Sequence, residues 1–296
     1  MKRLIFAILL LTAWSTCYSQ NGGQQQFRLP SVPDTIRTVE GRFNYVVGNY
    51  WTNFNFSDTL FLEIPERACE MALVNYTDLL SRLPLAKSAP YLEDFLAKAS
   101  ANVAMQNHMA GLLRKYLVNY DSPLRNHELY ICAAEYLKEN ALDEITRYNA
   151  MQDAHLLSLN PQGSVAADFT YFLPDSTVAH MHGMESPYTL LFFYNPNCRS
   201  CQGIIEALKT STAINRALET GALTLLAIYT QDDSPVWREF IKETPQGWTN
   251  GCDNGMKLIS ENIYDLRNLP VFYLLDSKKR ILLKDLPLSQ IEKHFK

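Results

Sequence analysis

The chain has 296 residues, of which 47% are hydrophobic and 20% charged, an ordinary globular composition with apolar content for about two domains. Lysine and arginine number 27 against 31 aspartate and glutamate, a net charge of −4. With no basic block anywhere, that balance argues against nucleic acid as a partner. The first residues, "MKRLIFAILLLTAWSTCYSQ", put Lys2 and Arg3 before an uncharged run that ends at Ser19. Discounting its polar end, the run is shorter than the ~20 apolar residues a bilayer requires. Residues 1–19 therefore read as a secretory signal cut before Gln20. The competing reading is a lipoprotein signal acylated at Cys17, which Trp14 and Thr16 suit poorly. Either way the expected location is the periplasm or cell envelope, and nothing after residue 20 resembles a membrane span. The mature chain would carry a net charge of −6 and five cysteines, Cys69, Cys132, Cys198, Cys201 and Cys252. Export lets disulfides persist, and an odd count leaves one thiol over.

Residues 20–35 are polar with glycine and proline and read as a flexible lead-in. In "GRFNYVVGNYWTNFNF" Phe43, Val46, Val47, Tyr50, Trp51 and Phe54 recur at helical spacing. Pro65 then opens "ERACEMALVNYTDLLSRL", another amphipathic helix. Further helical patterns cover Tyr91–Ala99, Val103–Val118 and His127–Asn140, with "NYDSPLRN" as a loop. Residues 36–158 are thus expected to form an all-helical domain. Trp51, Phe54 and Phe56 read as its core rather than a partner groove. Cys69 and Cys132 lie on its helices, either bridged or as buried thiols.

From residue 159 the grammar changes. "ADFTYFL" is a short strand, "YTLLFFYN" a buried strand too apolar to alternate, and "ALTLLAIYT" another. Helices follow from Cys198 and from Ser234–Pro235. "VFYLLD" and "RILLKD" form a hairpin around Ser277–Lys279, and "SQIEKHFK" closes the chain as a helix. Strands alternating with helices, then a hairpin, imply an α/β sandwich with a mixed central sheet over 159–296. The fold class is α plus α/β. Trp237 and Trp248 read as core or edge residues of this half, and Cys252 as a surface thiol.

The chemistry sits in "FFYNPNCRSCQ". Asn197 is a good N-cap, which would put Cys198 at the first helical position, facing the positive end of the helix dipole. Arg199 adds a cation beside it, and both effects favour the thiolate. Cys201 lies about one turn on, on the same face, placed to close a ring with Cys198 or to release a mixed disulfide from it. A zinc site would need two more ligands, and Cys252 stands alone in "NGCDNG". A copper carrier would want a histidine, which His180 and His182 in "AHMHG" could supply, though H-x-H in a loop is commonly plain surface. An inert staple is disfavoured because structural disulfides usually close longer loops. In "NLPVFYLLD", Pro270 stands at the start of a strand, where it is either a cis-proline beside the sulfurs or a simple strand-start residue. In the first case the backbone of Leu269 could pair with an extended substrate segment.

"LLFFYNPNCRSC", followed some seventy residues on by "LPVFYLLD", resembles the secreted bacterial thioredoxin-like thiol–disulfide oxidoreductases. "VAADFTYFLPDS" is similar to their entry strand. "YWTNFNFSD" and "YDSPLRNHELY" resemble a helical domain of unknown function that precedes such domains in some Gram-negative bacteria. The resemblance implies that Cys198 attacks, Cys201 resolves and Pro270 is the cis-proline opposite them. Support is expected from Asn197, Arg199 and Leu269, and no metal or organic cofactor is required. Partners would be protein thiols and disulfides and an upstream redox donor or acceptor. The chain departs from the pattern in three places. Asn197 replaces a common tryptophan. Phe192 stands where many thioredoxins carry a buried carboxylate, leaving proton transfer to water, Tyr194 or an acid from elsewhere. Asn195 replaces the threonine of peroxiredoxins. A disulfide-exchanging enzyme is the expectation; a thioredoxin-fold scaffold whose helical domain binds a partner is the alternative.

Overall fold

The computed structural model describes residues 27–59, 67–119, 122–232, 234–253 and 255–296. The signal reading over 1–19, Cys17, residues 20–26 of the lead-in and Pro65 lie outside these residues. Among the described residues six helices precede the sheet: α1 Val39–Gly48, α2 Arg67–Ser81, α3 Leu85–Ala99, α4 Val103–Leu117, α5 His127–Asn140 and α6 Glu144–Ser158. Four are started by side chains that accept an orphan amide of the first turn, from Thr38, Asn102, Asn126 and Asp143. They enclose one apolar cluster, in which Leu73, Leu80, Phe95, Met109 and Leu113 are fully buried.

Here the structure corrects several boundaries. α1 stops at Gly48, so Tyr50, Trp51, Phe54 and Phe56 enter the core from irregular turns instead of a helix face. Trp51 is the hub of that core, with ring centroids of Phe27, Tyr50, Phe54, Phe56, Tyr76 and Phe95 between 4.9 and 5.7 Å away. Phe27 belongs to the expected flexible lead-in, yet with Leu29 it packs on this core. α3 begins at Leu85 rather than Tyr91 and carries Pro90 inside it. A proline there forfeits one backbone bond, but burial of Leu92, Phe95 and Leu96 on the same helix outweighs the loss. α6 has no counterpart in the local pattern, because Ile145, Tyr148 and Met151 point to solvent while Ala150, Ala154 and Leu157 face inward.

The second half is a seven-stranded mixed sheet: β1 Thr170–Phe172, β2 Val178–His180, β3 Tyr188–Tyr194, β4 Leu223–Tyr229, β5 Trp248–Cys252, β6 Val271–Asp276 and β7 Ile281–Lys284, in the order β2-β1-β5-β4-β3-β6-β7. β3 runs parallel to β4 and antiparallel to β6, with Phe193 opposite Val271. β4 and β5 are parallel, and β1 meets β5 antiparallel at Phe172 and Cys252. One face is covered by α7 Arg199–Thr210, α8 Thr212–Glu219, α9 Pro235–Phe240 and α11 Leu288–Glu292, which bury Ile205, Leu208, Ile214, Trp237, Leu288 and Ile291 on it. The other packs Phe169, Tyr171, Met181 and Tyr264 against Leu191, Phe193 and Tyr273, with Leu258 supplied by α10 Lys257–Ser260. The helical-then-mixed-sheet architecture is that expected from the sequence. β2, β5, α8 and α10 are additions, and Trp237 and Trp248 are both core. The sequence places Cys252 on the surface, but as the last residue of β5 it is fully buried, enclosed by β4 and β1.

Candidate active site

β3 ends at Tyr194 and the chain turns at once into α7. Asn195 organises that turn: its side chain accepts the Asn197 amide at 2.9 Å and its carbonyl accepts the Cys198 amide at 3.0 Å. The sequence makes Asn197 the N-cap and Cys198 the first helical residue. The structure shifts both by one. Asn197 is exposed, and Cys198 itself is the N-cap, with extended backbone at φ −84° and ψ 121°. The reason is that a sulfur serves as the cap acceptor: the Cys201 amide N–H donates to Cys198 Sγ at 3.4 Å. The sulfur thereby satisfies an amide of the first turn that no carbonyl can reach.

Cys198 is half-buried and Arg199 exposed, so the first sulfur is within reach of solvent. Cys201 is fully buried under it, among Phe192, Tyr194 and Ile205. Burial, reinforced by the hydrogen bond and charge of Cys198, pushes the Cys201 thiol up to about 12. The two sulfurs are thus unequal: one open, one sheltered and protonated. No disulfide joins the five cysteines Cys69, Cys132, Cys198, Cys201 and Cys252.

Across the gap lies the loop before β6. Because Val271 pairs with Phe193, the chain just ahead of β6 arrives beside the 195–198 turn. The Leu269–Pro270 bond is cis, and Cys198 Sγ lies 3.7 Å from the Leu269 carbonyl oxygen, to which a thiol would donate. The structure therefore gathers Asn197, Cys198, Arg199, Cys201, Leu269 and Pro270 at one corner of the sheet. Behind Cys201 the wall is apolar. Phe192 stacks on Tyr194 and Phe272 at 5.2 and 4.9 Å, and the Tyr194 hydroxyl is buried without a hydrogen-bond partner.

The residues weighed for metal are elsewhere. His180 faces Asp168 at 3.8 Å and His182 Nε2 lies 2.8 Å from the Ala166 carbonyl. Among the described residues no cluster of three or more histidine, cysteine or acidic side chains could hold an ion. Among them, too, no helix is long and apolar enough to cross a membrane.

Comparison with known proteins follows the same division. Residues 12–160 match the model of a domain of unknown function, DUF5106. A thioredoxin-like protein from Bacteroides caccae superposes with a TM-score of 0.81 at 32% identity, covering 92% of this chain and 99% of its own. The C-terminal domain of an uncharacterized protein from Bacteroides fragilis is 37% identical over 46% of this chain and 97% of its own, with a TM-score of 0.44. The thioredoxin domain of a thiol-disulfide oxidoreductase from Bacteroides vulgatus is 20% identical over 46% of this chain and 99% of its own, with a TM-score of 0.40. No curated protein matches the sequence.

Proposed function

The chain belongs to the family that joins a DUF5106 helical domain to a thioredoxin-like domain, and from that premise we propose that it is an exported thiol–disulfide oxidoreductase working on protein clients through Cys198 and Cys201. The working division is a helical domain over 36–158 and a redox domain over 159–296. The observation that carries the reading is the inequality of the two sulfurs: Cys198 open at the start of α7 with an amide N–H on it, Cys201 buried one turn deeper.

In this mechanism the Cys198 thiolate attacks one sulfur of a client disulfide. The client S–S bond breaks, a Cys198–client disulfide forms, and the displaced client sulfur leaves as a thiolate. Cys201 then attacks Cys198 Sγ, giving the Cys198–Cys201 disulfide and releasing the second client sulfur. Two electrons pass to the client. The Cys201 proton, held tightly until then, goes to a departing client thiolate. A dithiol donor of the envelope restores the reduced pair, and run backwards the same steps oxidise a client. Leu269, beside Cys198, offers backbone groups for a client segment to pair with.

Reduction of insulin by dithiothreitol tests this. Wild type should accelerate it, and Cys198→Ala should lose roughly 10²–10³-fold of that acceleration. Cys201→Ala should accumulate mixed disulfides with clients. Phe192 favours the scaffold reading, since no carboxylate stands behind Cys201 to take its proton. That reading gains if wild type and Cys198→Ala behave alike and no adducts are recovered.

A further inference from the structure

The loop that carries Leu269 is held from outside its own half. Asp153, on α6, is 1% exposed, and its carboxylate accepts from Arg114 Nε at 2.8 Å, from the Tyr130 hydroxyl at 2.7 Å and from Arg267 Nη1 at 2.5 Å. Arg114 and Tyr130 come from α4 and α5, so the acid is already paired within the helical half. Arg267 comes from the segment between α10 and β6, two residues before Leu269. Its remaining nitrogens, Nε and Nη2, both donate to Asp265 at 2.8 Å. A guanidinium spread between two carboxylates is fixed in plane as well as in place. Two residues span at most about 7 Å of chain, so a fixed Arg267 leaves Leu269 little room to wander.

The same loop is tied at its other end. Asn160, just past α6, donates to the Ile263 carbonyl at 2.7 Å, and the Tyr264 hydroxyl donates to the Ala167 carbonyl at 2.6 Å. Beyond β6 the seam continues: Lys284 Nζ donates to the Leu157 carbonyl at 2.7 Å, and Arg125 reaches Asp285 at 3.2 Å. Between Tyr264 and the backbone that touches Cys198, Arg267 is a tie to the helical half.

We propose that Arg267 and Asp153 are positioning residues, a clamp by which the helical half sets the Leu269 backbone opposite Cys198, so that the surface receiving a client segment is completed by the other half of the chain. The clamp rests on the oxidoreductase reading for its purpose. Its geometry is separately measurable.

Arg267→Gln is the first variant, because it keeps a polar side chain at a partly exposed position and leaves Asp153 paired with Arg114 and Tyr130. Hydrogen exchange is read on the amides of Asn268, Leu269 and Val271 in the reduced full-length chain. Exchange should quicken about tenfold in Arg267→Gln and less in Arg267→Lys, which keeps the charge but not the fork. With a disulfide-bonded peptide as substrate, KM should rise about fivefold at nearly constant kcat, because the loss falls on binding. Alkylation of Cys198 by iodoacetamide should be unchanged, since that reagent does not use the loop. In the double-mutant cycle with Asp153→Asn the two effects should fail to add. Unchanged exchange overturns the clamp. Faster exchange with unchanged KM overturns its role in client binding. If wild type turns over no disulfide at all, the oxidoreductase reading falls and exchange alone decides the clamp.

Discussion

Cys69 and Cys198 both sit on helices, yet the two halves of the molecule treat them in opposite ways. Cys69 lies within α2 facing the core, where burial, aided by the charge of Glu70, pushes its thiol up to about 12. Cys132 on α5 is likewise raised, by burial and then by Glu93. Cys198 is at the mouth of its helix, half-buried, with an amide aimed at the sulfur. The same element type thus silences a thiol in one half and presents it in the other: both stand near a helix start, but Cys69 turns its sulfur into the core while Cys198, as the N-cap, holds its sulfur against an amide. First-turn amides lack carbonyl partners and can serve a side chain at the N-cap, a place Cys198 occupies and Cys69 does not.

The sharpest way to break this contrast is alkylation. Burial holds the Cys69 and Cys201 thiols up near 12, so at pH 8 iodoacetamide should modify the half-buried Cys198 and leave those two untouched, as peptide mapping would reveal. Cys69 reacting at a comparable rate would erase the distinction. A second probe is Trp51→Ala. Emptying the hub of the helical core should cost about 3–5 kcal/mol in urea unfolding while the Cys198 alkylation rate holds. A change in that rate of similar size would mean the halves are not separable in this respect.

The weakest effect falls on the seam between them. Burial, with Asp265 adding to it and Arg125 and Lys284 opposing, pushes the Asp285 carboxyl up to about 7. The folded chain then holds a proton that the unfolded chain gives up between about pH 4 and 7, so this group makes stability fall as pH rises through that window. His127, 3.5 Å away, is pushed down to about 4, chiefly by burial and then by Arg125, and acts in the opposite sense between about pH 4 and 6.5. Asp285→Asn removes the falling part. Relative to wild type, its unfolding free energy should climb by about 1 kcal/mol per pH unit from about pH 4.5 to 6.5. Parallel curves would show that Asp285 does not titrate there.

Much of this was legible without coordinates, and the exceptions share a cause. β3 and β6 announce themselves as unbroken apolar runs, and α5 appears with the bounds its sequence predicts because Asn126 caps it and Ala141 ends it. β5, "WTNGC", does not, because Thr249, Asn250 and Gly251 read as a turn. It is a strand because β4 and β1 flank it, and Gly251 is required there: a Cβ would stand 2.5 Å from the Tyr171 ring. In the site, the cysteines and Pro270 declare themselves by spacing and context. The one-residue shift of the cap does not, since capping rules are built on oxygen and here the acceptor is sulfur. Nor could the pairing of Asp153 with Arg267, 114 residues apart, be read from any local pattern.

The margins of the sheet carry a last consequence. β2 offers three residues at one edge strand, and along β7 the other edge is partly taken by the 162–166 segment through Gly163, Ser164 and Val165. Short or occupied edges deny stray chains a template for adding themselves to the sheet, which is how soluble β-structure escapes fibrous association. An intruding strand therefore finds little to pair with at either flank of this sheet.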